Sequence, residues 1–332
     1  MSTPTAPSPK QAQGEERRLR VGRGKQSRPT LRRGNTLRTR LEIGLFTGPA
    51  LLVYVGFVFV PICLAAYYGF FTWNGVGAPE KFVGIDNYLR AFQDPNFVAA
   101  IQHNAFYVVM SLLVQGPLAL LVALLLNRKI RLRGMFRLLL FAPYVLSEAI
   151  AGVAWRLLLP PNGAINTVLD AVGLDSWRHD WLGDASITNW TVLVLISWKY
   201  LGFAVVLFLA GMQSIPEELS EAASIDGAGY WQTQWRITVP LLGPTIRIWA
   251  FLSIIGSMQL FDLPYLLNGG RPATGNQTMA TYMMLYGQER HMYGFGSAVA
   301  VILFVISLAV ALIYQRFVLR RDTEGALTRG VF

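Results

Sequence analysis

Residues 213–245 read QSIPEELSEAASIDGAGYWQTQWRITVPLLGPT, and this polar stretch separates two apolar runs, Ile187–Met212 and Ile246–Leu267. About 20 mostly apolar residues are enough for a helix to cross the hydrocarbon of a bilayer. Both runs meet that length, so the stretch between them is predicted to be a loop on one side of a membrane.

The 213–245 loop is predicted to form a helical hairpin. Ser214 followed three residues later by Glu217 is a capping-box pattern, which predicts the start of a helix. Gly227 stops or turns this helix, and a second helix runs from about Tyr230 to near Pro240, because proline disrupts a helix interior. Four acidic residues stand in the loop against one arginine, which favours a basic partner.

The whole chain is predicted to be an all-α membrane protein. Hydrophobic residues make up 53% of it and charged residues 14%, whereas soluble domains carry about 25% charged residues. The spans must be helices, because a single strand in lipid would leave its backbone groups unpaired. Six windows are predicted to span the membrane: Ile43–Phe71, Ala105–Leu126, Met135–Leu159, Ile187–Met212, Ile246–Leu267 and Phe295–Val318.

The loop charges predict the orientation of these spans. The loop Asn127–Arg137 holds five Lys or Arg residues and no acid, so it is predicted to be cytoplasmic. Both terminal segments are basic and are predicted to lie on the same side, which an even number of spans requires. The loops Thr72–Asn104 and Pro160–Ser186 are acidic or neutral and are predicted to lie outside.

The segment 1–42 is predicted to be a disordered basic cytoplasmic tail, because it is rich in polar residues, Pro and Gly. It carries eight of the ten net positive charges of the chain. A basic tail is compatible with nucleic acid, but the positive-inside bias and contact with anionic lipid explain it better. The permease domain is placed at 43–320, with a second cytoplasmic tail at 321–332. The lone Cys63 and three scattered histidines predict no disulfide and no metal site.

Two further helices are predicted outside the spans. Asp94-Pro95 is a helix-start pattern, and this helix is predicted to run into the second span, with a kink at Gly116-Pro117. A short amphipathic helix at the outer surface is predicted from apolar residues at helical spacing, namely Ile165, Val168, Leu169 and Val172.

The 213–245 loop resembles the inner loop of bacterial binding-protein-dependent ABC importers, which carries the pattern EAA-xxx-G-x9-I-x-LP. Glu221-Ala222-Ala223 opens the pattern, Gly227 follows at the family spacing, and Ile237 comes after nine further residues. Val239-Pro240 stands where the family has Leu-Pro. The resemblance covers nearly all of residues 43–320.

The resemblance implies a type I ABC importer permease fold and a coupling role for Glu221, Ala222, Ala223, Gly227, Ile237 and Pro240. It implies a second permease subunit as heterodimer partner, two copies of a cytoplasmic ATPase and an extracellular solute-binding protein, in a bacterial plasma membrane. ATP and magnesium would be bound by the ATPase, so this chain is expected to hold no cofactor and to catalyse no reaction. The chain has no phosphate-binding loop of the G-x-x-x-x-G-K-[ST] type.

Two side motifs resemble the carbohydrate-uptake branch of that family. Residues 82–88 read FVGIDNY, and residues 261–272 read FDLPYLLNGGRP, in which Asn268 replaces the usual Thr. Together they resemble the first of the two dissimilar permeases of such systems. A sugar or an oligosaccharide is therefore the expected solute.

Ionisable and aromatic residues inside the spans are the candidates for the solute pathway, because buried charges in membranes are costly and often functional. The predicted pathway residues are Tyr144, Glu148, Lys199, Phe261, Asp262 and Tyr265. The alternative is that the charged members pair with one another or lie near water. A secondary transporter driven by an ion gradient is the alternative function, although internal repeats are not evident.

Overall fold

The structure is a computed structural model that describes residues 36–79, 81–128, 131–270 and 274–319. The predictions for 1–35 and 321–332, and that for Arg271-Pro272, lie outside the described residues. The described residues fall into two compact units, divided between Val60 and Pro61. Both sites described below lie within the second unit.

The described part of the chain is mostly helical. A two-stranded antiparallel sheet pairs Phe71 with Phe82 and Thr72 with Lys81. The first elements in chain order are α1 (Thr36–Tyr54, then a π turn Val55–Phe59 and Val60–Tyr68), β1 (Phe71–Thr72), β2 (Lys81–Phe82), α2 (Asp86–Gln93) and α3 (Pro95–Leu126, with a π turn Ser111–Gln115). They are followed by α4 (Arg133–Val145), α5 (Glu148–Leu158), α6 (Ala164–Ala171), a 3₁₀ turn (Asp175–Trp177), α7 (Ala185–Met212), α8 (Glu217–Ile225) and α9 (Tyr230–Leu241). The last elements are α10 (Gly243–Met258), α11 (Asp262–Leu267), a 3₁₀ turn (Thr274–Asn276), α12 (Met279–Met284, then a π turn Leu285–Glu289) and α13 (Tyr293–Leu319).

Four helices of the described chain are long and apolar enough to cross a membrane. They are Leu41–Tyr68, Pro95–Leu126, Ala185–Met212 and Tyr293–Leu319, which match the first, second, fourth and sixth predicted windows. Two bent helix pairs also pass this test, α4 with α5 and α9 with α10. The described residues therefore supply four to six candidate spans.

The third window is wrong as one continuous helix. The chain bends by 94° between α4 and α5. Leu146 is extended, with ψ of 137°, and Ser147 caps α5 by accepting a hydrogen bond from the Ile150 N–H at 3.2 Å. A serine followed by an acid is a helix-start pattern, so Ser147-Glu148 was the overlooked signal.

The fifth window is also interrupted, because α10 ends at Met258 and α11 begins at Asp262. The carbonyl groups freed by this ending are satisfied within the protein. The Asn104 amide donates to Ser257 O at 2.7 Å and to Met258 O at 3.2 Å, and Thr278 donates to Leu260 O at 2.7 Å. Non-helical backbone at membrane depth is tolerated where such donors are present.

The apolar core consists of three clusters within residues 61–332. One surrounds Tyr282 and Phe295, a second surrounds Phe208 and Trp249, and a third surrounds Tyr107 together with neighbours on α7 and α11. The second cluster joins α3, α7 and α10, which form walls of the cavity described below.

The predicted amphipathic helix exists as α6, but its buried residue is polar. Val168 and Val172 are exposed, whereas Asn166 is buried. The Asn166 amide donates to Pro161 O at 3.0 Å and to His179 O at 2.8 Å, and its oxygen accepts from Trp181 Nε1 at 3.0 Å. Hydrogen bonds to the following loop therefore place this helix.

The helix start predicted at Asp94-Pro95 is confirmed, and the helix continues without interruption into the second span. Asp94 Oδ1 accepts a hydrogen bond from the Asn96 N–H at 2.8 Å, which is an N-cap. Its other oxygen accepts from the hydroxyls of Tyr282 at 2.7 Å and Tyr286 at 2.9 Å. Asp94 thus joins the start of α3 to the segment 279–289.

Acid is expected to weaken this junction. Partial burial acts to raise the pKa of Asp94, but hydrogen bonds from Tyr282, Asn96 and Tyr286 lower it below its usual value. A carboxyl with a lowered pKa stabilises the fold above its unfolded pKa, about 4 for aspartate, and loses that contribution as pH falls toward the lowered value. The thermal midpoint of purified protein should therefore fall with pH below about 4. The fall should be shallower in Asp94→Asn, and an equal slope in both proteins would contradict the assignment.

Candidate functional site

The 213–245 loop folds as the predicted helical hairpin of α8 and α9. Gly227 lies between the two helices with φ of +80°, a conformation that favours glycine. The predicted capping box is wrong, because Pro216 occupies the N-cap position without a side-chain hydrogen bond. Ser214 instead donates to Gly211 O at 2.7 Å, at the end of α7.

The face of α8 that carries the family pattern is open. Glu221 and Ala222 are exposed, and Ala223 is buried against the rest of the protein. Ile225, which is apolar, is 86% exposed. In α9, Ile237 is half-buried and Pro240 is exposed. A short, rigid helix with an acidic and apolar exposed face is suited to contact another protein.

The hairpin is fastened to the end of α3 by a residue that sequence reasoning missed. The Tyr230 hydroxyl donates to Leu124 O at 2.5 Å. The Arg128 guanidinium lies 4.2 Å from the centroid of the Tyr230 ring, which is a cation–π contact. A displacement of the hairpin therefore acts on α3 as well as on α10, which follows α9 directly.

A cavity of about 250 Å³ lies among α3, α4, α5, α7 and α10. The α10 wall carries Trp249, Ser253, Gly256 and Ser257, which share one helical face. Gln115 contributes from the π turn of α3 and is buried. Hydroxyl and amide groups therefore form part of the cavity lining.

The break between α4 and α5 forms another wall of the cavity, and two consecutive residues of α7 hold it. Lys199 is buried and its Nζ donates to Leu146 O at 2.5 Å, at the C-terminal end of α4. The Tyr200 hydroxyl donates to Glu148 Oε1 in the first turn of α5. A cation at a helix C-terminus and an acid at a helix N-terminus both complement the helix dipole.

Four of the six predicted pathway residues line this cavity: Tyr144, Glu148, Phe261 and Asp262. Lys199 and Tyr265 are not among its lining residues. Tyr265 stacks on the lining residue Phe261 with ring centroids 5.0 Å apart, so it contacts the lining without being part of it.

Sequence reasoning missed several polar lining residues, namely Gln115, Tyr200, Ser253, Ser257 and Gln259. Ser253 and Ser257 could have been found, because residues four apart lie on one helical face. Ser253 Oγ lies 2.5 Å from Ser111 Oγ on α3. Within the described residues, no group of three or more His, Cys, Asp or Glu side chains is arranged to hold a metal ion.

Residues 115–323 match the model of a protein family described as the binding-protein-dependent transport system inner membrane component. The probable ABC transporter permease protein YurN of Bacillus subtilis is 32% identical over 276 residues, which span 82% of this chain and 94% of that protein. The probable starch degradation products transport system permease protein AmyD of Thermoanaerobacterium thermosulfurigenes is 29% identical, over 84% of this chain and 94% of that protein.

Among solved structures, a chain of a bacterial alginate ABC transporter has a similar fold. That transporter was crystallised in complex with an alginate pentasaccharide-bound periplasmic protein. The TM-score is 0.73 at 24% identity, over 85% of this chain and 95% of that chain. The likeness at this identity concerns the fold.

Proposed function

This chain belongs to the family of binding-protein-dependent transport system inner membrane components, and we propose that it is the permease subunit of an ATP-driven importer for a sugar or oligosaccharide. The observation that carries the proposal is the exposed hairpin, in which Glu221, Ala222 and Gly227 hold the family pattern on a helix open to a partner. The name of the relative AmyD, a permease for starch degradation products, supports carbohydrate as the solute class.

In this proposal the chain crosses a bacterial plasma membrane six times, with both ends and the hairpin in the cytoplasm. The bent pair α4 with α5 supplies the third span, and α10 with the short α11 after it supplies the fifth. The basic loop before α4 and the basic ends favour this orientation. A second permease subunit would supply the rest of the pathway, and an extracellular binding protein would deliver the solute.

The proposed mechanism is alternating access without covalent chemistry in this chain. Two copies of a separate ATPase bind ATP and magnesium, and their closure displaces the hairpin. The displacement passes into α10 through the chain and into α3 through the Tyr230 contact with Leu124. Both helices line the cavity, so a rigid-body shift of either changes its opening. Glu221, Ala222, Ala223, Gly227, Ile237 and Pro240 form the coupling element in this scheme.

Reconstitution tests the proposal directly. The chain is placed in proteoliposomes with its co-expressed permease partner and binding protein, with and without the ATPase, and uptake of labelled oligosaccharides is measured. Uptake should require the ATPase and ATP and should be insensitive to ionophores that collapse ion gradients. Uptake driven by an ion gradient alone would establish a secondary transporter and overturn the proposal.

A further inference from the structure

We propose that the cavity selects uncharged, hydroxyl-rich saccharides and rejects anionic ones such as uronate oligosaccharides, with Glu148 and Asp262 setting this preference. The inference rests on the proposed function, because it assumes that the cavity is part of the solute pathway. The inference specifies the charge of the solute. Neither the family pattern nor the relatives' names determine that charge.

The first observation is the charge of the cavity lining. Glu148 and Asp262 contribute two carboxylates, and the residues that line the cavity include no Lys, Arg or His. Glu148 Oε1 is occupied by the Tyr200 hydroxyl. In the described part of the chain, the Asp262 side chain has no hydrogen bond or ion pair, so its oxygens are open to a solute.

The second observation is that the cations on the surrounding helices do not line the cavity. Lys199 on α7 is directed to the Leu146 carbonyl at the break between α4 and α5. Arg156 on α5 covers Gly269, where a β-carbon would lie 2.5 Å from Arg156 Cζ. Arg247 on α10 lies against Gly243, with its Nη1 3.2 Å from the equivalent β-carbon position. Neither these three residues nor Arg133 and Arg137 on α4 are among the lining residues, so no cation of these helices lies beside the two carboxylates in the lining.

The remaining lining fits a neutral saccharide. Tyr144 and Phe203 stack with ring centroids 5.1 Å apart and an interplanar angle of 20°, which offers an apolar face to the C–H side of a sugar ring. Ser253, Ser257 and Gln115 offer hydroxyl and amide partners. Carboxylates accept hydrogen bonds from sugar hydroxyls. A carboxylate on the solute would instead meet the like charges of Glu148 and Asp262, which is unfavourable.

The test compares two trisaccharides that differ in charge, neutral maltotriose and anionic trigalacturonate. The complete transporter, without the binding protein, is placed in phosphatidylcholine nanodiscs, and saturation-transfer difference NMR measures binding of each probe at neutral pH. The binding protein is omitted so that its own selectivity among solutes does not affect the measurement. We expect the maltotriose signal to exceed the trigalacturonate signal by about tenfold or more, because the two lining carboxylates repel an anionic solute.

The double variant Glu148→Gln/Asp262→Asn should raise the ratio of trigalacturonate to maltotriose signal by about fivefold or more. The control Asp175→Asn removes an exposed acid outside the cavity and should leave the ratio unchanged. Equal signals in the unmodified transporter, an unchanged ratio in the double variant, or no signal from either probe would overturn the inference. ATP-dependent uptake in the reconstitution above would still stand in each case, so failure of this inference is distinct from failure of the proposed function.

Discussion

Replacing Gly202 by alanine is expected to prevent most of the protein from reaching its folded state. A β-carbon at this position of α7 would lie 2.0 Å from Leu140 O and 2.8 Å from Phe141 Cα. Both are backbone atoms of α4, which cannot move aside as a flexible side chain can. Small residues allow this close approach of helices in membranes.

The two helices must separate to admit the methyl group, and the separation also affects the neighbouring hydrogen bonds of Lys199 and Tyr200. Overpacking of this kind costs about 3 kcal/mol or more where the opposing atoms are backbone. The measurement is the yield of monodisperse protein after detergent extraction, together with its thermal midpoint. We expect a several-fold lower yield and a lower midpoint.

Gly256→Ala is the matched control for stability. It adds the same methyl group within α10, where no atom other than those of the adjacent residues and the helix's own nearby backbone lies within 4 Å of the new β-carbon. Alanine is favoured over glycine in a helix interior by about 1 kcal/mol, so this variant should be as stable as the unmodified protein or more so. Similar yields for the two variants would show that α4 and α7 do not approach as closely as described.

The second large effect is expected from Glu221→Lys, which should abolish coupling without affecting the fold. Glu221 is exposed on α8, and surface substitutions change stability by about 0.5 kcal/mol or less. If a partner ATPase presents basic groups to this face, charge reversal places like charges together at a cost of several kcal/mol. Uptake should fall by about tenfold or more, while the amount of protein in the membrane stays the same.

The diagnostic measurement is ATP hydrolysis and solute uptake in the same proteoliposomes. Uncoupling predicts that hydrolysis continues while uptake is lost. Asp175→Lys, which reverses an exposed acid in the 3₁₀ turn between α6 and α7, should retain both activities. Normal uptake by the Glu221 variant would refute the coupling role of this residue.

The helix boundaries that the sequence predicted correctly have local causes. Asp94 precedes a proline and caps α3 by itself, and Gly227 ends the first helix of the hairpin because of its own backbone freedom. The boundaries that it missed depend on distant residues. The break at Leu146 is held by Lys199, and the end of α10 at Met258 is held by Asn104. The sequence of an apolar window does not show that a hydrogen-bond donor on another helix will pair with its backbone carbonyl groups.

The residues of the candidate site also divide into those that the sequence marks and those that depend on packing. Glu148 and Asp262 could be singled out because an acid in an apolar window is rare and costly. Lys199 met the same criterion, yet its buried side chain donates a hydrogen bond to a backbone carbonyl. Only the packing of α7 against α4 reveals this partner. Gln115 gave no comparable signal, since a neutral amide in a span is less costly than a charge.

The hydrogen bonds that α7 makes at the break between α4 and α5 also bear on how the protein is made. Lys199 follows Leu146 by 53 residues, and ribosomes release the chain from its N-terminus. When α4 and α5 leave the ribosome, the part of α7 that carries Lys199 and Tyr200 still lies behind them in the chain. The 94° bend between α4 and α5 therefore gains these hydrogen bonds only later, when α7 packs against α4.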